Sequence, residues 1–493
     1  MSTYSLNGTE KYGKTHQGLA GLPAGETAGW WSADYFGKWL VGFGLLLVAA
    51  FIVMAQTEFI SLELFSWLNR DLGPLFWLLM AFAGLNLAIF IWRVYLVITY
   101  RPAPAPSDWE LPKITVIVPA YNEGRHVMES LQSVLASDYP ASRLQIIAVD
   151  DGSKDDTWQW MELAAAESKG RVKLVRLPKN KGKRRALYEG FKRATGQVFV
   201  TIDSDSIVEP QTLKQLVAPF IRDERCGAVA GNVRVANRQE GLIPRMLEVS
   251  FTFSFDFLRA SQSRINTVFC TPGALSAYRR DLVMVVLDEW LDQKFMGEPA
   301  TIGEDRAMTN MILKRGFHVL FQRNAVVYTN VPTTYKGLYK MFLRWARSNV
   351  RETIAMSKFA FRRFRPTSCL GARIELSRAL ISMTFGEIAK VSALIMLISN
   401  LAVLIPGFVA ACCISALVPA AFFILRHRDS DFLWAFTYAP FSALALSWIS
   451  LYALFTVKRS GWLTRELPSS AGVVRPVQFP GQIVGQIITK KAG

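Results

Sequence analysis

The chain has 493 residues, 51% of them hydrophobic, and a mean hydropathy of +0.21, which is too apolar for a purely soluble protein. Its 56 Lys and Arg against 39 Asp and Glu give a net charge of +17, a balance that a nucleic acid, an anionic membrane face or a phosphate-rich substrate would each suit. The five cysteines (Cys226, Cys270, Cys369, Cys412, Cys413) show no Cys-x-x-Cys spacing and the four histidines are scattered, so neither a disulfide framework nor a zinc site is supported.

Residues 1–36 form a polar segment. Within it "GTEKYGKT", Gly8 to Thr15, fits the expression for a phosphate-binding loop, but such a loop needs a buried strand before it and a helix after it. The polar run from Met1 to Glu10 offers no strand, so the match reads as part of a tail without its own structure. Residues 37–100 hold two uncharged runs, 39–57 and 74–92, each about long enough to cross a bilayer core. The first is expected to be a span and not a cleaved signal, because a long polar segment precedes it and no small-residue cleavage site follows. A Pro-rich stretch, "RPAPAPSDWELP" (101–112), marks a domain boundary.

From 113 to 335 short β-branched runs alternate with amphipathic stretches: "KITVIVPA", "LQIIAVDD", "VKLVRL", "QVFVTID" and "CGAVAGNVRV". Helical segments such as Val127 to Ala136 and Asp156 to Ser168 lie between them. The pattern predicts an α/β domain with a parallel sheet, whose ligand site lies at the carboxyl ends of its strands.

Residues 336–390 are basic and amphipathic, suited to helices at a lipid interface with Arg and Lys toward anionic headgroups. Hydrophobicity returns in 391–457. The run 391–425 reads as two short spans hinged near Pro406 and Gly407, and Trp434 to Val457 as a third. The positive-inside rule places the basic central domain in the cytoplasm and favours the same side for "RHR" (426–428) and for "KRS" (458–460) at the start of the 458–493 tail, which is expected to be cytosolic; three spans cannot satisfy both. One segment is therefore misread, with Ile374 to Lys390, carrying Glu387, the candidate.

The charged residues of interest sit where strands end. "TIDSDS" follows a buried run and sets Asp203 and Asp205 at alternate positions, which an extended backbone would aim at one spot despite their repulsion. "VIVPAYNE" (116–123) ends one strand, "IAVDDGS" (147–153) the next, and "KNKGKRRAL" (179–187) concentrates cations around Gly182. Together with "CTPGALSAYRR" (270–280), "GEDR" (303–306) and the Arg344–Trp345 pair, this ordered set resembles the inverting, family-2 processive glycosyltransferases. The nearest echoes are hyaluronan synthases, chitin synthases and the chitin-oligosaccharide synthases of nodulation. The likeness covers roughly 113–355 and the flanking apolar helices.

The resemblance implies a GT-A (Rossmann-like) cytosolic domain set between transmembrane helices, and a bacterial-type inner-membrane, multi-pass protein. Its implied partners are a UDP-sugar donor, a growing polysaccharide acceptor and the lipid bilayer, with no nucleic acid and with a homo-oligomer left open. A flat base, a ribose and a diphosphate need a stacking face, acceptors and cations. Tyr121 beside Pro119 suits the first, Glu123 and Asp151 the second, and Lys181, Lys183 and Arg184 the third. Hard divalent cations take oxygen ligands, so the aspartates with a diphosphate would hold Mg²⁺ or Mn²⁺. The resemblance makes Asp205 the direct ligand and turns Asp203 toward the ribose or a metal-bound water.

An attacking hydroxyl needs a base, for which Glu304 and Asp305 are candidates, the resemblance favouring Asp305. It also assigns Cys270, Gly273, Arg306, Arg344 and Trp345 to the acceptor or the departing diphosphate. The Gln expected three residues before Arg344 is Met341. "GWLTRE" (461–466) resembles a C-terminal segment of hyaluronan synthases, with Leu463 where Gly is usual. Each motif also has a plainer reading: the acids as turns and helix N-termini, the cations as a solvated face, the Arg–Trp pair as part of a surface helix. The expected function is a processive synthase secreting a GlcNAc-containing polymer. The alternatives are a β-glucan synthase using UDP-glucose, a transferase acting once on a lipid phosphate, and a sugar-binding or export protein without catalysis.

Overall fold

The computed structural model describes residues 37–39, 41–42, 44–45, 73–399 and 401–459. The first predicted span, the Gly8–Thr15 motif and the "GWLTRE" segment lie essentially outside these. Helix α1 (Pro74–Thr99) leads into the domain, and the linker after it is fastened down. The Tyr100 hydroxyl donates to the Phe321 carbonyl at 2.7 Å, and Gln322 exchanges two hydrogen bonds with the backbone of Ala103. The Pro-rich stretch is thus a strap along the domain instead of a free spacer.

Strands β1 (Ile114–Ala120), β2 (Leu144–Asp150), β3 (Val172–Arg176) and β4 (Val198–Ile202) pair in parallel in the order β3-β2-β1-β4. Every residue of β1 and β4 is buried, as expected of central strands covered on both faces. Period-2 alternation divides them: Val116 and Val118 join one core layer with Val127, Leu131 and Met161. Ile117 joins the other with Phe191, Phe199 and Trp290. The covering helices are α2 (His126–Leu135), α3 (Thr157–Glu167) and α4 (Lys183–Arg193), the first two within a residue of their expected bounds.

The sheet is mixed, which corrects the parallel expectation. Beyond β4 it continues through β7, β6, β10 and the short β5 (Ser206–Val208), in that order. After α5 (Thr212–Arg222) and β6 (Cys226–Val235) the chain makes a helical excursion. This comprises α6 (Leu242–Phe251), a π-helical turn at Thr252–Phe257 and α7 (Leu258–Arg264). It returns past the carboxyl ends of β1 and β4, so β7 (Leu275–Arg279) starts where its neighbours finish and runs antiparallel to both β4 and β6. Helix α8 (Arg280–Leu291), the two-residue strands β8 (Lys294–Phe295) and β9 (Glu298–Pro299), α9 (Glu304–Lys314) and β10 (His318–Thr329) complete the domain.

Helix α10 spans Tyr335–Ala360. It packs against α9 and the C-terminal helices and buries Leu338, Met341, Leu343, Arg347, Ser348, Arg351, Glu352 and Thr353. Its charges are matched internally: Arg351 bonds the Ile302 carbonyl and pairs with Glu352. Three long elements follow: α11 (Leu370–Ser399), α12 (Leu401–His427), and α13 (Trp434–Phe441) joined by a π-helical turn at Ser442–Leu446 to α14 (Trp448–Phe455). Pro406 and Gly407 lie inside α12, as apolar helices tolerate. Among the described residues Phe76–Thr99, Gly407–His427 and Ser430–Phe455 are helical stretches long and apolar enough to cross a membrane.

Candidate active site

A cavity of about 1270 Å³ opens at the carboxyl ends of β1 and β4, at the switch point of the parallel strands. That exceeds the roughly 300–1,000 Å³ of ordinary small-ligand pockets. Its walls include Pro119, Tyr121, Asp151, Lys183, Asp203, Asp205, Cys270, Gly273, Glu304, Asp305, Arg306, Arg344 and Trp345.

Strand β4 stops at Ile202, and Asp203 to Ser206 make a tight turn closed by the Ser206 amide on the Asp203 carbonyl at 3.0 Å. Asp203 and Asp205 thus reach the cavity from a turn and not from one strand face, contrary to the extended geometry expected. Between them the buried Ser204 donates to Glu123 at 2.9 Å. Glu123 therefore braces this turn and is absent from the cavity wall, unlike the acceptor role expected of it.

Asp151, 3% exposed, accepts the Lys181 amide at 2.9 Å. Burial raises its carboxyl to about 6, against the lowering effect of the Lys181 and Gly182 amides. The close approach requires Gly152, at φ +72°, because a Cβ there would lie 2.6 Å from the Lys179 backbone.

The cationic segment divides in two. Lys183 opens α4 and is paired with both Asp203 and Glu304, the latter at 3.3 Å. Burial would lower its pKa, yet those carboxylates drive it well above the ordinary lysine value. Arg184, one residue on, turns away. Its guanidinium donates to the Trp290 carbonyl at 2.6 Å and to Gln293 at 3.0 Å, and lies over the Trp290 ring. Successive helix positions point about 100° apart, so adjacent cations cannot both serve one pocket. Arg184 is a buried structural residue, and burial lowers its pKa to about 10. The Lys181 side chain is exposed outside the cavity wall, so the sequence expectation of three phosphate cations leaves only Lys183 in place.

Helix α9 presents the acids. Gly303 caps it in the left-handed region at φ +70°, pressed so tightly on α10 that a Cβ would sit 1.8 Å from Ser348 Oγ. Asp305 accepts the Gly273 amide at 3.1 Å and the Cys270 thiol at 3.6 Å on one oxygen, and the Arg306 amide on the other. Burial and the neighbouring Glu304 charge raise its pKa. Burial would raise Glu304 too, but Lys183 and Arg344 hold it below the usual range. Two adjacent acids thus take opposite protonation tendencies, the pattern of a base beside an ion-paired partner.

Gly273 and Cys270 serve the carboxylate of Asp305, where the sequence suggested contact with an acceptor. The same segment is anchored by Thr271, whose hydroxyl meets those of Tyr278 and Thr309 at 2.9 Å each. Arg306 also departs from expectation: its guanidinium bonds Asn349 and Thr353 on α10. Arg344 and Trp345 are in the wall, Trp345 within an aromatic cluster of Phe251, Phe255 and Phe342. Met341 is buried in the same wall. Arg259, which donates to the Cys270 carbonyl at 3.1 Å and lies over Phe255, was missed, since it sits in a helix without a motif.

Comparison with known proteins agrees with this arrangement. Residues 112–348 match the model described as "Glycosyltransferase like family 2". An N-acetylglucosaminyltransferase of Azorhizobium caulinodans is 31% identical over 362 residues, covering 72% of this chain and 88% of that protein. A hyaluronan synthase of Streptococcus pyogenes is 31% identical over 376 residues, covering 73% and 84%. In fold, the mannosyltransferase PcManGT of Pyrobaculum calidifontis, solved with GDP-Man and Mn²⁺, aligns over 74% of this chain and 96% of its own with a TM-score of 0.50 at 21% identity. The motifs, the strand-edge cavity and these relatives converge: the chain belongs to glycosyltransferase family 2 and is a transferase of the GlcNAc-transferase and hyaluronan-synthase group.

Proposed function

We propose that the protein is a membrane-embedded polysaccharide synthase that transfers a sugar from a UDP donor to the end of a growing chain, with inversion, and passes the product along its own helices. The supporting observation is that the wall containing Asp203, Asp205, Asp305 and Trp345 continues without interruption to Arg378, Ser382 and Glu387 on α11 and to Ile449, Ser450 and Leu454 on α14. A transferase acting once on a small acceptor has no use for that extension.

In this reading Tyr121 and Asp151 hold the nucleoside at the ends of β1 and β2. Asp203 and Asp205 are two carboxylates on one turn, and no cluster of three or more candidate ligands exists among the described residues. Such a pair fits a divalent cation completed by the donor's diphosphate, Mg²⁺ or Mn²⁺, which would neutralise the leaving group. Lys183 exchanges its pairing with Asp203 for the phosphate oxygens, with Glu304 remaining beside it. Asp305 takes the proton of the attacking hydroxyl, its carboxylate aimed by the Gly273 amide. Trp345 offers a stacking face to the acceptor sugar, and Arg344 offers positive charge to the departing UDP. The names of the relatives favour a GlcNAc-containing product, and the excess of Lys and Arg favours a cytoplasmic catalytic domain.

The test is to supply the detergent-purified protein with UDP-GlcNAc, UDP-GlcA and UDP-Glc, singly and in pairs, with each metal, and to digest the product with linkage-specific hydrolases. A GlcNAc-containing polymer supports the reading, and a requirement for two donors makes it hyaluronan-like. A polymer from UDP-Glc alone replaces it with a β-glucan synthase, and a lipid-linked monosaccharide removes processivity.

A further inference from the structure

Asp305 is aimed by a segment that has no regular structure of its own. Cys270 to Pro272 belong to no helix or strand, yet the Cys270 thiol and the Gly273 amide donate to the same Asp305 oxygen, at 3.6 and 3.1 Å. With no ladder to fix it, the segment depends on side chains. The Phe269 amide donates to Gln262 of α7 at 3.2 Å, and the Thr271 amide to the Thr309 hydroxyl of α9 at 3.2 Å. Between them the Cys270 carbonyl accepts from Arg259 of α7 at 3.1 Å. Of these three anchors Arg259 alone is charged.

Arg259 is itself held in place. In the π-helical turn before it, backbone bonds reach one residue further than in an α-helix. This widened turn puts the Ser254 carbonyl 3.4 Å from the guanidinium, and the Phe255 ring lies 4.1 Å beneath it. The turn is pinned by Asp256, which pairs with Arg323 of β10 at 2.7 Å and with Arg426 of α12 at 3.5 Å. Burial lowers the Arg259 pKa while Cys270 and Asp305 oppose that change, so the cation and the acid sense one another across the segment.

We propose that Arg259 is a positioning residue for the base: by fixing the Cys270 carbonyl it keeps the thiol and the Gly273 amide on Asp305, and so keeps that carboxylate aimed and ready to accept a proton. This deepens the polysaccharide-synthase reading and rests on Asp305 as its base. Hydrogen bonds to a carboxylate favour its ionised form. When Arg259 is lost the segment drifts, both donors weaken together, and burial with the Glu304 charge raises Asp305 further. The other groups around Asp305 stay as they are: Arg306 on its own helix, Lys183 of α4, Asp203 after β4, Cys270, Tyr278 of β7 and, in the same wall, Arg344 of α10.

The experiment measures UDP release by the full chain in nanodiscs across pH, with whichever of the three UDP-sugars supports turnover. It compares the wild type, Arg259→Gln and Arg259→Lys, each also in an Asp305→Asn background. In Arg259→Gln kcat at neutral pH should fall by on the order of 10–100-fold while donor KM holds, and Arg259→Lys should recover part of the loss. The acid limb of kcat should move up by on the order of one pH unit, because a base with a raised pKa loses its ionised form at a higher pH. In the Asp305→Asn background Arg259→Gln should change kcat by less than about twofold, since its effect passes through Asp305. An equal loss in both backgrounds, or an acid limb that stays in place, would overturn the proposal by making Arg259 a substrate contact or a purely structural residue. If Arg259→Gln does not fold, Arg259→Lys is put through the same comparison with the same expected directions. A large loss in Asp305→Asn with none in Arg259→Gln removes the positioning role and leaves the base; undiminished kcat in Asp305→Asn removes both.

Discussion

The two halves of the cavity are built in opposite ways. At the strand edge the charges are dense and interlocked: Lys183 bridges Asp203 and Glu304, and the backbone of Gly273 and Arg306 fixes both oxygens of Asp305. Along α11 and α14 the wall is sparser, with Ala379, Met383, Ile449 and Leu454 interspersed with Arg378, Ser382, Glu387 and Ser450. The first half is organised to hold one geometry during a proton transfer. Under the proposed function the second has to grip a chain weakly enough to let it move. A substitution in the first should therefore alter rate, and one in the second should alter what is retained and how long the product becomes.

The largest expected effect comes from Asp305→Asn, which keeps size and most contacts but cannot accept a proton; kcat for UDP release should fall by about 10²–10⁴. Donor affinity, read by titration, should change little. If kcat survives, the strand-edge half does not contain the base.

Lys183→Met should follow, since it leaves the buried Glu304 and the partly exposed Asp203 without their shared cation, at a cost of about 1–3 kcal/mol in unfolding free energy. Chemical denaturation measures it, and Lys183→Arg should recover part of the loss. Gly303→Ala is next: the left-handed conformation alone costs about 1–2 kcal/mol, and the contact with Ser348 must add to it by shifting α9 against α10. Activity should drop with the melting temperature, in contrast to Asp305→Asn.

The pH dependence separates the acids. Asp151 is raised to about 6, so its ionised, hydrogen-bond-accepting form is lost as pH falls through that value; the donor KM should rise below about pH 6 and level off above it. Asp305 is also raised by burial and by Glu304, so kcat should fall with decreasing pH before the ordinary aspartate range is reached. The smallest effect on catalysis is expected at Arg184→Gln, which should lower stability by about 1–3 kcal/mol through lost bonds to Trp290 and Gln293 while leaving donor KM unchanged. A raised donor KM would return Arg184 to the phosphate site.

Much of the strand-edge half was readable beforehand because its physics is local. Buried β-branched runs announce β1, β2, β4 and β6, and acids placed directly after them announce a site at the strand ends. Direction was not readable: nothing in "LSAYR" distinguishes an antiparallel β7 from a parallel one, because that follows from where the helical excursion returns. Nor was the division between Lys183 and Arg184, since a cluster of cations carries no phase until the helix start at Lys183 is known. In helix α10 the amphipathic spacing was readable, but not that Arg351 and Glu352 are buried, because the Ile302 carbonyl, Gln293 and Asn310 that bond them come from distant parts of the chain. Along α11, Glu387 stood out only as an anomaly in a span.

The central claim is that one continuous cavity both makes the bond and keeps hold of the product. A pulse of labelled donor followed by an unlabelled chase, with product length followed at early times, tests it most directly. Long chains should be present while most acceptors are still unextended, and the label should stay in those same chains during the chase. Uniform growth of all acceptors, one sugar at a time, would contradict the account.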